Sequence, residues 1–111
     1  MELDQNHIVC GRGLRNWNHE GNRIFRQVVE SRLADYVDEA RGRAFKSRLV
    51  DETTQTLLEM GMIFVRRAND NGDWVTLSNR QARIKVAHMF RDASRQARAA
   101  AMRNRIRPAL G

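Results

Sequence analysis

The residues best suited to chemistry lie close together near the start of the chain, in segment 8–26, IVCGRGLRNWNHEGNRIFR. An apolar run there ends at Gly11-Arg12-Gly13, where the two glycines permit backbone conformations with positive φ and let the arginine project. The arginines of the segment are Arg12, Arg15, Arg23 and Arg26. Because a guanidinium group can bind two phosphate oxygens at once, the segment predicts a surface that binds a polyanion.

The same segment contains residues that we expect to organise a loop rather than to bind a ligand. They are Gly11, Gly13, Asn18, His19, Gly21 and Asn22, with Asn22 as the cap of a following helix. A Gly-x-Gly turn alone lacks the third glycine of a dinucleotide fingerprint and the Gly-Lys-Ser/Thr of a P-loop. A plain turn with a solvated arginine is therefore the alternative interpretation.

Catalysis and metal binding are not expected. His19-Glu20, or Cys10 with a histidine, would need a third orienting group that the sequence does not identify. The single cysteine excludes an internal disulfide, and one cysteine with three histidines does not match a Cys/His zinc finger. We therefore expect no enzymatic activity, no metal and no cofactor.

Positive charge is concentrated in the last third of the chain. The net charge is +7, but residues 79–111 hold nine basic residues and one acidic residue, a net of +8. Arg91, Arg95 and Arg98 are spaced by four and three, which puts them on one helix face that Arg103 continues. The alanines beside them offer little to a membrane, so the pattern favours a nucleic-acid backbone. A solvated arm, or an arm that docks a partner helix, is the alternative.

The spacing of apolar residues predicts an α+β fold with three helices and a β-hairpin. The predicted helices span about 22–39, 44–60 and 79–105. Runs 62–67 and 74–77 flank an Asn-Gly turn and predict the hairpin, and Ser78 with Gln81 forms a capping box after it. If residues 8–10 pair beside the hairpin, the result is a small three-stranded sheet covered by helices, similar to a winged helix.

A winged-helix arrangement would place further cations on a nucleic acid. Arg43 and Lys46 lie in the first turn of the second helix, which would be the recognition surface, and Arg66 and Arg67 lie in the hairpin. An ordinary solvated face is the alternative.

The length of 111 residues predicts a single domain. We place the domain at 6–98, between an N-terminal tail, 1–5, and a basic arm, 99–111. The acidic opening is unlike a signal peptide and no apolar run approaches the roughly 18 residues that cross a bilayer. We therefore expect an intracellular protein that does not bind membranes.

The motifs resemble those of an uncharacterised domain family that is abundant in diatoms and other algae. Ile8-Val9-Cys10-Gly11-Arg12-Gly13 and Asn18-His19-x-Gly21-Asn22-x-x-Phe25-Arg26 are similar to the family patterns D-V-L-x-G-R-G and N-x-H-x-G-N-x-x-F-R. The resemblance covers roughly residues 6–91. The chain departs from it at Asn6-His7, where an acidic residue is usual, and at Gly61-Met62, where Gly-Gly is common. The resemblance implies a eukaryotic nuclear domain that binds DNA, and it brings no established activity.

Together these patterns predict a non-enzymatic nucleic-acid-binding domain in the nucleus, with duplex DNA as the preferred partner and a role in transcriptional regulation. The alternative is a protein-interaction module that binds an acidic partner or forms a homodimer.

Overall fold

A computed structural model describes residues 3–11, 18–68 and 72–106 of the chain. They form, in order, β1 (His7–Val9), α1 (Glu20–Ser31), α2 (Leu33–Tyr36), α3 (Arg43–Glu59), β2 (Ile63–Arg67), β3 (Trp74–Thr76) and α4 (Asn79–Ile106). A small sheet packed against helices confirms the α+β class. The likeness to a winged helix stays a prediction.

The three strands form one sheet in the order β1-β2-β3. β1 is parallel to β2, with Ile8 opposite Phe64, and β2 is antiparallel to β3, with Arg66 opposite Val75. Both the hairpin and the pairing of the first short strand beside it are therefore confirmed. The parallel pairing follows from the long crossover, since α1, α2 and α3 all lie between β1 and β2.

The hydrophobic core lies between the inner face of this sheet and the helices. Its largest fully buried apolar side chains are Phe64, Phe90, Ile8, Leu57, Val29, Val65 and Val86. The ring of Phe25 meets that of Phe64 edge-on at 5.5 Å, which joins α1 to β2. The ring of Tyr36 stacks on that of Phe90 at 4.8 Å, which joins α2 to α4.

The prediction of one helix over about 22–39 is wrong, because the chain bends at Arg32 (φ −114°, ψ 1°) and continues as the single turn α2. The Arg32 guanidinium donates to Thr53 Oγ1 at 2.9 Å and to Thr56 Oγ1 at 3.2 Å, both on α3. These contacts, with the stacking of Tyr36 on α4, accompany the bend. Apolar spacing does not reveal it, because Leu33 and Tyr36 would share the face of Phe25 in a straight helix.

The observed helix α4 (Asn79–Ile106) agrees closely with the helix predicted over about 79–105. The capping box is confirmed: the amide of Gln81 donates to Ser78 Oγ at 3.2 Å, and the amide of Ser78 donates to Gln81 Oε1 at 2.9 Å. Every fourth residue from Ala82 to Ser94 is buried, namely Ala82, Val86, Phe90 and Ser94. Beyond Ser94 most side chains are exposed, yet the helix runs on without a break through the predicted boundary at residue 98.

Candidate nucleic-acid interface

The end of β1 and the start of α1 are held together by contacts that need specific residues. Gly21 lies so close to β1 that a Cβ atom on it would be 1.9 Å from the carbonyl oxygen of His7. Asn22 pairs with Val9 through both atoms of its amide: Nδ2 donates to the Val9 carbonyl at 2.9 Å, and Oδ1 accepts from the Val9 amide at 2.8 Å. The side chain therefore satisfies the outer edge of β1 as a neighbouring strand would.

The prediction that Asn22 caps the helix is accordingly wrong. Helix α1 begins at Glu20, its N-cap is His19, and no side chain makes a capping hydrogen bond there. Asn22 is in the first turn, where its amide is close enough to the edge of β1 to take the place of a strand. A hydrogen bond between residues 13 positions apart depends on packing, so the local sequence does not reveal it.

The N-terminal segment is fastened to the same place by two histidines. His19 Nε2 donates to the carbonyl of Asp4 at 2.9 Å, and the amide of Asp4 donates to Nδ1 of the buried His7 at 2.8 Å. Gly11 has φ of 143°, as the expected glycine turn requires. We call His7, Val9, His19, Gly21 and Asn22 the β1–α1 junction. Of the other loop-organising residues, Asn18 is exposed, and Gly13 lies outside the described residues.

The predicted phosphate-binding arginines near the junction have different surroundings. Arg12 and Arg15 lie outside the described residues. Arg23 is exposed and forms an ion pair with Glu20 at 3.4 Å. Arg26 is half-buried and lines a groove between α1 and α4, together with Asp92 and Gln96. The groove therefore holds the Asp92 carboxylate as well as the Arg26 guanidinium, which is the most buried of the described arginines near the junction.

The predicted cations of α4 face solvent. Arg91, Arg95, Arg98 and Arg103 are all exposed, and we call them the arm arginines. Within residues 3–11, 18–68 and 72–106 the ion pairs are Glu20–Arg23, Asp38–Arg41 and Asp51–Arg83. The arm arginines take part in none of these ion pairs.

Of the two predicted cations of α3, Lys46 contacts an aromatic ring that packs on the middle of α4. Lys46 Nζ lies 5.3 Å from the centre of the Tyr36 ring, which stacks on Phe90, the residue before Arg91. Arg43 is exposed at the first position of α3. Lys46 and the middle of α4 are thus linked through a stack of rings.

The hairpin cations are on strand β2. Arg66 and Arg67 are both exposed, and because neighbouring residues of a strand point to opposite faces, they face opposite sides of the sheet. The guanidinium of Arg67 stacks over the ring of Trp74 at 4.8 Å, and Trp74 is half-buried. Arg67 and Trp74 together make a flat, cationic surface on the hairpin.

The structure brings the start of the loop against α4, but it does not place all the arginines on one face. Gly11 and Lys85 line the same pocket, which also includes Asp92. In an α-helix, Arg91 and Arg98 lie roughly 100–120° around the axis from Asp92, so they project away from the groove that Arg26 lines. By the same rotation, Arg95 and Arg103 lie within about 60° of Asp92, so the arm arginines are spread over a wide arc of α4 rather than on one face.

That pocket was not predicted from the sequence. It has a volume of about 250 Å³ and lies between the end of β1, α1 and α4. The available signal was Lys85, His88 and Asp92, whose spacings of three and four put them on one side of α4. Cys10 also lines it, and burial raises the pKa of its thiol to about 11, against a smaller lowering by the nearby Lys85 ammonium.

Within residues 3–11, 18–68 and 72–106, no group of three or more His, Cys, Asp or Glu side chains is arranged to hold a metal ion. None of the helices described has the length and apolarity to span a bilayer.

Comparison with known proteins gives a family without an activity. No curated protein and no solved structure matches the chain. A family model matches residues 7–92, which is more than half of the chain and runs from β1 to Asp92 of α4. This match confirms the resemblance to an uncharacterised domain family, and it leaves Arg95, Arg98 and Arg103 outside. The chain therefore belongs to the family described as a domain of unknown function, DUF6824.

Proposed function

We propose that the chain is a non-enzymatic nucleic-acid-binding domain that acts on duplex DNA in the nucleus and contributes to transcriptional regulation. The observation that carries the proposal is the set of arm arginines, which are exposed and belong to none of the ion pairs of the described residues. A row of unpaired guanidinium groups on a solvated helix is suited to phosphate oxygens.

The physical basis of binding is the release of counterions. A nucleic-acid backbone carries condensed cations, and each arginine that neutralises a phosphate frees one of them, which makes affinity fall as salt rises. The arm arginines supply this sequence-independent affinity. Arg43, Lys46 and the Arg66–Arg67 pair add contacts from α3 and the hairpin, with Arg23 and Arg26 beside the loop.

A protein partner for α4 is less well supported. Docking of a helix needs a continuous apolar stripe, whereas over residues 79–104 of α4, whose side chains are described, the exposed large apolar residues are Ile84 and Met102. They are 18 positions apart, about 27 Å along the helix axis. Between them the exposed surface carries Arg91, Arg95 and Arg98. This surface favours an anionic partner over an apolar one.

The test is a fluorescence-anisotropy titration with duplex DNA, single-stranded DNA and RNA at two salt concentrations. A variant in which glutamine replaces all four arm arginines is compared with the unaltered chain. We expect duplex binding that weakens steeply with salt, and a variant whose log–log salt slope is shallower by about 3.6, or about 0.9 for each arginine removed. An absence of binding to duplex DNA at low ionic strength would contradict the proposal.

A matched pair of single substitutions separates the arm from general loss of charge. Arg95→Gln removes an unpaired cation, whereas Arg41→Gln removes one that is paired with Asp38 at 3.6 Å and stacked over Phe45. We expect the first to weaken duplex binding severalfold at low salt and the second to weaken it less. Equal effects would mean that net charge alone is responsible. A pull-down that captures a protein despite nuclease treatment, with no DNA binding, would favour the protein-interaction module.

A further inference from the structure

The pocket beside β1 combines an apolar floor with charged groups at its rim. The strand end from Ile8 to Gly11 forms one side. Phe25, which is buried, and Met89, which is half-buried, provide apolar surface. Lys85, His88 and Asp92 line it from α4. The mixture is typical of a small-ligand site, where apolar surface gives contact area and a few polar groups fix orientation.

The charges at the rim restrict the ligand. An ammonium and an imidazole suit a phosphate, but Asp92 would repel a simple inorganic anion placed beside it. Asp92 is in none of the ion pairs formed within the described part of the chain, so its carboxylate can accept hydrogen bonds from a ligand. A carboxylate that accepts from an exocyclic amino group is a known way to recognise a base. Phe25 and Met89 offer the face of such a base an apolar surface.

The size of the pocket agrees with one nucleotide. Its volume of about 250 Å³ is slightly below the usual range for small-ligand pockets, which begins at roughly 300 Å³, and is far too small for a stacked duplex. A base can reach such a pocket only when it is out of the stack, at a strand end, at a mismatch or in a single strand. This geometry differs from that of the arm arginines, which contact solvent from an open helix surface.

We propose that this pocket holds one unstacked nucleotide whose base carries an exocyclic amino group. Lys85 and His88 contact its phosphate, Asp92 accepts a hydrogen bond from the amino group, and Phe25 and Met89 contact the base. The inference rests on the proposed function where the nucleotide belongs to a nucleic-acid strand. The same chemistry would accept a free nucleoside monophosphate, and the experiment below separates the two sources.

The single cysteine of the chain gives a direct readout, because Cys10 lines the pocket. Alkylation of its thiol can be followed by mass spectrometry without any substitution. A ligand in the pocket covers the thiol, so the alkylation rate falls by a factor that grows with ligand concentration, about tenfold when that concentration is ten times Kd. The probes are CMP, UMP and inorganic phosphate. They differ in whether they carry a base and whether the base carries an amino group.

We expect CMP to protect Cys10 at lower concentration than UMP, and phosphate to protect it least. Lys85→Gln should raise the concentration of CMP needed by about tenfold, and Asp92→Asn should remove the preference for CMP over UMP. Each variant is compared with and without ligand, since Lys85 also influences the thiol itself. Arg91→Gln, one residue from Asp92 on another face of α4, should leave CMP protection unchanged while weakening duplex binding.

Two outcomes would overturn the inference: protection by none of the probes, or equal protection by CMP, UMP and phosphate in the unaltered chain. Duplex binding without protection by any nucleotide would leave the proposed function standing and remove only this site. To separate the two sources, a single-stranded oligocytidine is tested beside CMP. Protection by both supports a nucleotide within a strand, and protection by CMP alone, without duplex binding, supports a free nucleotide and contradicts the proposed function.

Discussion

The β1–α1 junction and the arm arginines depend on different physical interactions. At the junction, a helix backbone lies against a strand backbone, and each side chain has a defined partner. On the arm, cations project from a solvated helix and belong to no ion pair among the described residues. The family model also ends at residue 92, so it covers the whole junction and only the first arm arginine, Arg91.

The two regions therefore determine different properties of the protein. Close packing and paired hydrogen bonds fix geometry, so a change at the junction alters the stability of the fold. Long-range charge sets the affinity for an anion, but this affinity tolerates changes in where each cation lies. The reason is that counterion release depends on the number of phosphates that the cations contact. Substitutions in the two regions should therefore separate stability from binding.

The largest effect on stability is expected for Gly21→Ala. The new methyl group would overlap the carbonyl carbon and oxygen of His7. Because those two atoms belong to the backbone of β1, the clash can be relieved only if α1 moves away from β1. We expect a loss of about 3 kcal/mol or more in the free energy of unfolding, measured by urea denaturation. Gly42→Ala is the matched control, because no atom lies within 4 Å of the added Cβ. It should cost less than about 1 kcal/mol, and equal losses would show that the junction is not tightly packed.

The next effect is expected for Asn22→Ala, which removes two hydrogen bonds to Val9 at once. The amide and carbonyl of Val9 would then lack their partner at the edge of β1, and we expect a loss of about 2 kcal/mol. Hydrogen exchange of the Val9 amide should accelerate. Gln27→Ala, at an exposed position of the same helix, should change stability by less than about 0.5 kcal/mol. Unchanged exchange at Val9 would contradict the assigned role of Asn22.

A smaller, pH-dependent effect is expected from Cys10, beside the junction. Burial raises the pKa of the thiol from 9.0 to about 11 in the folded chain, so the unfolded chain releases its proton first as pH rises. Stability from this group is complete below pH 9.0 and falls as pH rises toward about 11. Urea midpoints at about pH 8 and about pH 10 should therefore decrease more in the unaltered chain than in Cys10→Ala. Identical decreases would mean that the thiol does not contribute.

The smallest effect on stability is expected for the arm arginines. Replacing all four with glutamine removes exposed charges that make no ion pair with the described residues, so each substitution should change the free energy of unfolding by less than about 0.5 kcal/mol. Urea denaturation of the same variant that is used for the DNA titration provides the measurement. A loss as large as that of Gly21→Ala would place the arm within the folded core and end the contrast between the two regions.

Much of the fold could be predicted because the relevant signals are local. The Ser78–Gln81 capping box and the apolar stripe of α4 are encoded within a few residues. The bend at Arg32 could not be predicted, since it accompanies hydrogen bonds to Thr53 and Thr56 on α3. Less of the candidate site was predictable: the arm arginines are exposed, as a binding surface requires, but Arg26 is half-buried, and whether the cations share a face depends on how α1 and α4 pack.

Local sequence was enough to predict the excess of positive charge in the last third, the hairpin, and the helix that carries the arm arginines. The packing of the folded chain was needed to show that Asn22 completes the edge of β1 and that Lys85, His88 and Asp92 meet Cys10 around one pocket. These two kinds of feature differ in the separation of the residues along the chain. Charge and periodicity are properties of neighbouring residues, whereas a hydrogen bond across 13 positions, or a pocket between β1 and α4, exists only once the core has packed.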